Sequence, residues 1–377
     1  MRIVQVAPFF HPHAGGVESH VRSLAREFAR GGHEVTVVTS RYRRTLAHSE
    51  DVEGYRVLRT ASLGVVFNTP LDLGVGGTLR DLGADVVHIH YPPPLTSFFA
   101  TRALEGSHVP VCLTYHCDLF LAGTAGRLIA GLYERTLLPP TLSRIDRIVV
   151  HTQSYGTTSA SLRGRELEVI PALVDLERFR PGLVLPGLRE RLGLDGQRVV
   201  AFTGRLVPHK GVDVLLQALA ELPPDVHALI VGRGPRLVDL AGLARRIGVS
   251  DRVHFCPAVS DDELPGYLGL ADVFAFPSQN RLEGFGLAVA EAMACALPVV
   301  ISDMPGVREV IDDGVHGLLV EPLLADDLAR KLSVLLDDPS RARAMGAAGR
   351  RRAEERYGLR RVAGQLIRLY EALASAG

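Results

Sequence analysis

Short apolar runs alternate with amphipathic stretches from one end of the chain to the other. Arg2 to Ala7 (RIVQVA) is a β-like run that stops at Pro8. After FFHPHAGGVE, the residues Val21, Leu24, Ala25 and Phe28 recur at helical spacing, which predicts a helix from Val17 to the Gly31-Gly32 pair. HEVTVVTS, from His33 to Ser40, predicts the next strand. Strand, glycine-bearing loop, helix and strand make a βαβ unit, whose right-handed crossover implies a parallel sheet.

Further strands are expected near residues 55–58, 85–90, 110–116, 147–151 and 167–170, with helical stretches between most of them. A Pro- and Gly-rich passage, RFRPGLVLPG at residues 178–187, then interrupts the pattern. Beyond it strands recur near residues 199–202, 228–231, 253–255, 273–276, 298–302 and 317–320, and the chain is helical from Ala325 onward. The expected fold class is therefore α/β, with two doubly wound Rossmann-like domains facing across a cleft. We expect an N-terminal domain over residues 1–182 and a C-terminal domain over residues 183–358.

Length and composition agree with two packed cores. The chain has 377 residues, 47% of them hydrophobic and 22% charged. Lys and Arg total 42 against 42 Asp and Glu, so no net positive field exists to hold nucleic acid. Cys112, Cys117, Cys256 and Cys295 lie in apolar runs without C-x-x-C spacing, which suits reduced thiols in the cytoplasm. Neither a signal peptide nor a run long enough to span a bilayer is expected. Membrane contact, if there is any, is peripheral.

In doubly wound sheets ligands bind beyond the carboxyl ends of the strands, so the loops there hold the candidate chemistry. Gly15 and Gly16 precede the first helix. They suit either close approach of an anionic ligand to free N–H groups, or a turn that needs positive φ. GRLVPHKG, from Gly204 to Gly211, carries Arg205 and Lys210, an Arg fork and a Lys point charge that together suit a diphosphate. Lys210 and Lys331 are the only lysines in the chain, and the competing reading of Arg205 and Lys210 is two solvated surface cations.

The stretch from Pro277 to Asp303 places Glu291 among Leu287, Ala288, Val289, Ala290, Ala292, Met293, Ala294 and Cys295. A helix apolar all round is buried, and a carboxylate there needs a partner. Either Glu291 pairs inside the protein, or it waits for a ligand such as a ribose diol. Glu283 lies on the loop before Gly284, Phe285, Gly286 and Leu287, whose N–H groups make an anion site; alternatively it caps the helix. His88, His90, His116 and Asp118 lie at strand ends, where a metal-dependent hydrolase would place its ligands. GVGGTL at Gly74 lacks a convincing preceding strand for a dinucleotide site.

Glu283 and Glu291 form an E-x7-E signature in the setting EGFGLAVAEAMA. With the GGVE loop, GRL-x3-KG, VGRGP and the IP...VD-x-x-RF-x-P hinge of Ile170, Pro171, Val174, Asp175, Arg178, Phe179 and Pro181, the chain resembles retaining glycosyltransferases of family 4. The resemblance covers nearly the whole length and implies the GT-B fold, with the helix at about 359–377 packing back on the first domain. It further implies transfer of a hexosyl group from a nucleotide diphosphate sugar, UDP- or GDP-linked, to an acceptor hydroxyl with retention. In this reading Arg205 and Lys210 hold the diphosphate and Glu291 the ribose. Glu283 and His116 contact the transferred sugar, and the N–H of Gly16 lies near diphosphate or acceptor. No cofactor and no metal are expected, because the two cations replace Mg²⁺.

HYPPP at His90 and YHCD at Tyr115 are similar to family members that build lipid-linked surface polysaccharides, which implies a saccharide or glycolipid acceptor at the inner membrane face. Two departures stand out. The hinge reads Pro171-Ala172-Leu173-Val174 where the family has PNGV, and Pro257 replaces a common Gly in the loop near the base, removing an N–H donor. The alternative function is a nucleotide-sugar-binding partner subunit without turnover.

Overall fold

The computed structural model describes residues 1–13, 15–66, 69–92, 94–121 and 123–376. Ala14 of the first glycine loop and Pro93 of the HYPPP run lie outside the described residues. The chain divides into two compact units, residues 1–173 with 359–377, and residues 174–358. The division falls at Leu173 and Val174 rather than at 182 and 183. Residues after Leu173 are tied into the second unit: Val174 N–H donates to the Tyr357 carbonyl (2.7 Å), and the buried Phe179 accepts from Arg350 Nη1 (2.8 Å).

In the first unit the strands are β1 (Arg2–Val6), β2 (Glu34–Arg41), β3 (Ser49–Val52), β4 (Tyr55–Val66), β5 (Thr69–Asp72), β6 (Val86–Tyr91), β7 (Val111–Tyr115), β8 (Arg147–Val150) and β9 (Leu167–Val169). Their order is β3-β4-β2-β1-β6-β7-β8-β9, with β5 beside β4. Pairs from β4 through β9 are parallel, and β3 and β5 run antiparallel to β4. Alternation divides the strand residues between two layers: Ile3, Val35, Val37 and Val86 face one core, and Val4, Val6, Val38 and Val87 the other. The first core is closed by the helix Gly16–Arg30, through Val21, Leu24, Ala25 and Phe28, and by the helix Leu359–Ala376, through Val362, Ala363, Leu366 and Tyr370.

β3 and β5 have no counterpart among the expected strands. β3 reads SEDV and has no buried residue, and β5 contains Pro70, so neither carries the apolar signal of the central strands. β5 does precede the helix Val75–Asp81 behind Gly74, but as an antiparallel edge strand, which is not the entry to a dinucleotide site. Gly76 serves packing instead: a Cβ there would lie 2.9 Å from that of Ala103.

The second unit contains β10 (Arg198–Thr203), β11 (Val226–Val231), β12 (Val253–Cys256), β13 (Val273–Phe276), β14 (Val299–Ser302) and β15 (Gly317–Val320). All pairs are parallel, in the order β12-β11-β10-β13-β14-β15. The winding reverses between β10 and β13, and a crevice at such a reversal is where an open α/β sheet receives ligand. The corresponding reversal in the first sheet lies between β1 and β6.

Candidate active site

The loops after β10 and β13 meet at the reversal of the second sheet. Gly211 has φ +69°, and a Cβ on it would stand 1.8 Å from the Pro277 carbonyl oxygen, so only glycine lets the two loops touch. Gln279 N–H donates to the His209 carbonyl (2.8 Å), and the Gln279 side chain donates to Asp213 Oδ1 (3.0 Å). Across this seam Lys210 Nζ bonds Glu283 Oε2, while Glu283 Oε1 accepts from Gly286 N–H (3.1 Å). The Lys210 ammonium also lies 4.8 Å from the centre of the Phe276 ring, a cation–π contact.

Lys210 does not follow the competing reading of a solvated surface cation, since it is only partly exposed and pairs with Glu283, which is 8% exposed. Glu283 also does what its competing reading required, by engaging an N–H at the start of a helix. Gly286, at φ +88°, turns the chain into the helix Leu287–Ala294, with Gly284 and Phe285 buried just before it. Arg205 is exposed, and its guanidinium has no ion-pair or hydrogen-bond partner among the described residues. His209, between these charges, is held neutral: burial, then the charge of Lys210, lowers its pKa to about 4.

Glu291 lies in the second turn of that helix, and its carboxylate has no hydrogen-bond partner among the described residues. Burial raises its pKa to about 7, Arg178 and Lys210 pull it down, and Asp261 pushes it up. Of the two sequence readings, internal pairing is therefore not what the described residues show. Arg178, which the sequence offered only as a hinge residue, is the largest favourable charge on Glu291. It is fixed by a hydrogen bond to the Asp261 carbonyl and by packing over the Phe179 ring, 4.8 Å from its centre.

In the first unit, Gly15 and Gly16 follow β1. Positive φ is not the reason for either: Gly15 is extended, with φ −176°, and Gly16 is not among the left-handed glycines. The Glu18 carboxylate folds over Gly15, 2.2 Å from where a Cβ would stand, and bonds His13 (2.7 Å). Gly16 faces open space.

His116 belongs to a row of imidazoles. His151 Nδ1 donates to the Ile170 carbonyl (3.0 Å), His151 Nε2 meets His116 Nδ1 (3.0 Å), His116 Nε2 meets His90 Nδ1 (3.1 Å), and His90 Nε2 meets the Gln5 amide (2.6 Å). His88 continues the polar inlay, with Nε2 2.7 Å from Thr114 Oγ1 and Nδ1 bonded to Tyr370. His20, from the first helix, packs edge-on against His90, His116 and His151. Burial leads in lowering every one of these histidine pKa values, to about 3 for His88 and about 4 for His151.

The row is therefore neutral, which fixes its protons. The Ile170 oxygen can only accept, so His151 carries its hydrogen on Nδ1, His116 on Nδ1 and His90 on Nδ1. Gln5 must then turn its NH₂ toward His90, since amide oxygen and nitrogen exchange places by a half-turn. Both ring nitrogens of His116 are engaged, so a ligand reaches one only by replacing a histidine partner. Asp118, grouped with the histidines from sequence, is committed elsewhere, accepting from Tyr115 (3.0 Å) and Ser159 (2.6 Å). Among the described residues no group of three His, Cys, Asp or Glu side chains is arranged to hold a metal, which removes the geometric basis of the hydrolase reading. Gln5 and Tyr370 went unnoticed in the sequence; the available signal was a glutamine inside the apolar strand RIVQV.

Two family models match the chain: "Glycosyltransferase Family 4" over residues 14–178 and "Glycosyl transferases group 1" over residues 187–352. A GDP-mannose-dependent alpha-(1-6)-phosphatidylinositol monomannoside mannosyltransferase of Mycolicibacterium smegmatis is 32% identical over 357 residues, which is 90% of this chain and 91% of that protein. The chain is a retaining glycosyltransferase of family 4. A D-inositol 3-phosphate glycosyltransferase of Xylanimonas cellulosilytica is 33% identical over 412 residues, covering 98% of this glycosyltransferase and 95% of the relative. Its fold is GT-B: the sucrose-phosphate synthase of Thermosynechococcus elongatus superposes with TM-score 0.84 at 24% identity, covering 100% of both chains. A glycosyltransferase from Rickettsia africae superposes with TM-score 0.77 at 18% identity, covering 99% of this chain and 98% of that one.

Proposed function

We propose that this glycosyltransferase moves a hexosyl group from a UDP- or GDP-sugar to a hydroxyl of a glycolipid or lipid-linked saccharide, without a metal. The observation that carries the donor reading is Glu291, a carboxylate without a hydrogen-bond partner among the described residues, on the helix that starts beside the Lys210–Glu283 pair. Glu291 accepts from the ribose hydroxyls. Arg205 and Lys210 take the diphosphate and stabilise the charge that builds on it as the glycosidic bond breaks. Glu283 holds hydroxyls of the transferred sugar, and the N–H groups of Gly284, Phe285, Gly286 and Leu287 face the anion.

GDP-mannose is the first donor to test, because the relative from M. smegmatis is named for it. Release of nucleoside diphosphate in the presence of phosphatidylinositol-type acceptors, measured for UDP-, GDP- and ADP-sugars, decides the matter. Donor binding without release under any pairing would make the protein a binding subunit. Lys210→Ala should lower transfer about a hundred- to thousandfold, with Glu283 still held by Gly286 N–H.

The acceptor reading places the first unit at a lipid surface on the cytoplasmic side. No helix among the described residues is long and apolar enough to cross a membrane. The helix Gly123–Thr136, however, turns Leu128 (72% exposed), Ile129 and Leu132 outward, with Phe120 just before it and Arg127 and Arg135 exposed alongside. Apolar residues one turn apart, flanked by arginines, suit shallow insertion among anionic headgroups. Replacing Leu128 and Leu132 by Ser should abolish co-sedimentation with phosphatidylglycerol vesicles while leaving donor binding unchanged. Unaltered co-sedimentation would remove this helix from the contact.

A further inference from the structure

The groups proposed to receive the diphosphate hold an anion of the protein's own. Glu283 places one carboxylate oxygen on the Lys210 ammonium and the other 3.1 Å from Gly286 N–H at the start of the helix Leu287–Ala294. The carboxylate thus bridges a cation and a helix N-terminus, the two kinds of group that bind a phosphate oxygen. It is a built contact, not a surface ion pair: Glu283 is 8% exposed, and the loops carrying the partners are joined by Gln279, by His209 and by the close approach of Gly211 to Pro277.

We propose that Glu283 is the residue by which the site discriminates the intact sugar donor from the bare nucleoside diphosphate, through competition for Lys210. This rests on the donor site proposed above and adds a role to it. A nucleoside diphosphate arriving alone must displace the carboxylate and leaves it buried with one partner fewer, which lowers its affinity. An intact donor brings sugar hydroxyls that donate to the displaced carboxylate, so Lys210 is released to the diphosphate at smaller cost. Once the sugar has gone to the acceptor, those hydroxyls leave with it. Glu283 returns to Lys210 and loosens the spent nucleotide. The same carboxylate that holds the sugar therefore also expels the product.

The test compares wild type and Glu283→Gln by calorimetry, with GDP, UDP and ADP as ligands and with GDP-mannose, UDP-glucose and ADP-glucose as the matched donors. The glutamine keeps an oxygen for Gly286 N–H and removes the negative charge. For the nucleotide that binds wild type, the variant should bind the bare diphosphate about tenfold more tightly, the effect of roughly 1.4 kcal/mol. Its preference for the donor over the diphosphate should fall by at least that factor. Adding Lys210→Met to the variant should cancel the gain. A merely structural role of Glu283 would weaken both ligands together, and that result, with an unchanged unfolding midpoint, overturns the proposal. Unchanged diphosphate affinity overturns it too, while the donor site stands. No binding of any nucleotide to wild type would overturn the site itself and this proposal with it.

Discussion

At the residue scale, Glu291 titrates in the range where the protein would work. Its pKa is raised to about 7 by burial, and only its ionised form accepts from two ribose hydroxyls at once. Below that value the free site holds a protonated acid, which must release its proton to bind. Donor affinity should therefore rise between pH 6 and pH 8 and level off above, with Glu291→Gln showing a flat and weaker profile. Calorimetry across that range checks it; a wild-type profile as flat as that of the glutamine variant would remove Glu291 from the ribose. Glu291 was legible in the sequence as an acid in apolar surroundings, and Glu283 as an acid on the loop feeding the same helix. What the sequence left undecided was their partners, because the contact with Lys210 spans 73 positions and depends on a sheet reversal that no local pattern encodes.

At the scale of single elements, the histidine row shows where a motif can mislead. H-x-H in β6 puts two imidazoles on one face, and from sequence that face reads as chemistry. In the fold it lies under the first and last helices of the first unit, where neutral rings replace apolar packing and bond one another. The central strands themselves were legible because parallel strands buried on both faces are plain apolar runs, whereas SEDV of β3 and the proline of β5 hid those edge strands.

The row also has a stability consequence. The folded pKa values of His88 and His151, about 3 and about 4, lie below the ordinary value of 6.5, so the unfolded chain takes up protons first as pH falls. Their contribution is whole above about 6.5 and is lost progressively toward 4, on the order of 1 kcal/mol per pH unit per ring. Urea midpoints should drop between pH 7 and pH 5, and His151→Gln, though less stable at pH 7, should show a shallower drop. An equal slope in both proteins would place the acid sensitivity elsewhere.

At the scale of the whole molecule, the chain leaves its first unit at Leu173 and returns to it at Leu359. The sequence pattern showed two domains and the family resemblance implied a returning helix, but neither marked the handover, because Val174 to Phe179 enter the second unit through backbone bonds that any residue could make. The returning helix supplies Val362, Ala363, Leu366 and Tyr370 to a core that also contains Ile3 and Phe28. A protein ending at Gly358 should therefore expose apolar sheet surface, bind a hydrophobic dye and aggregate. A truncated protein that stays monomeric, with native-like unfolding of its first half, would show that the helix is dispensable.

That returning helix also sets an order of events at the ribosome. Residues 1–173 cannot close their core until the helix Leu359–Ala376 has emerged, and the whole of residues 174–358 is synthesised in between. At ordinary elongation rates the interval is roughly ten to forty seconds. Over that interval the strands of the second unit are added one after another, while the nascent first unit keeps its apolar sheet surface uncovered.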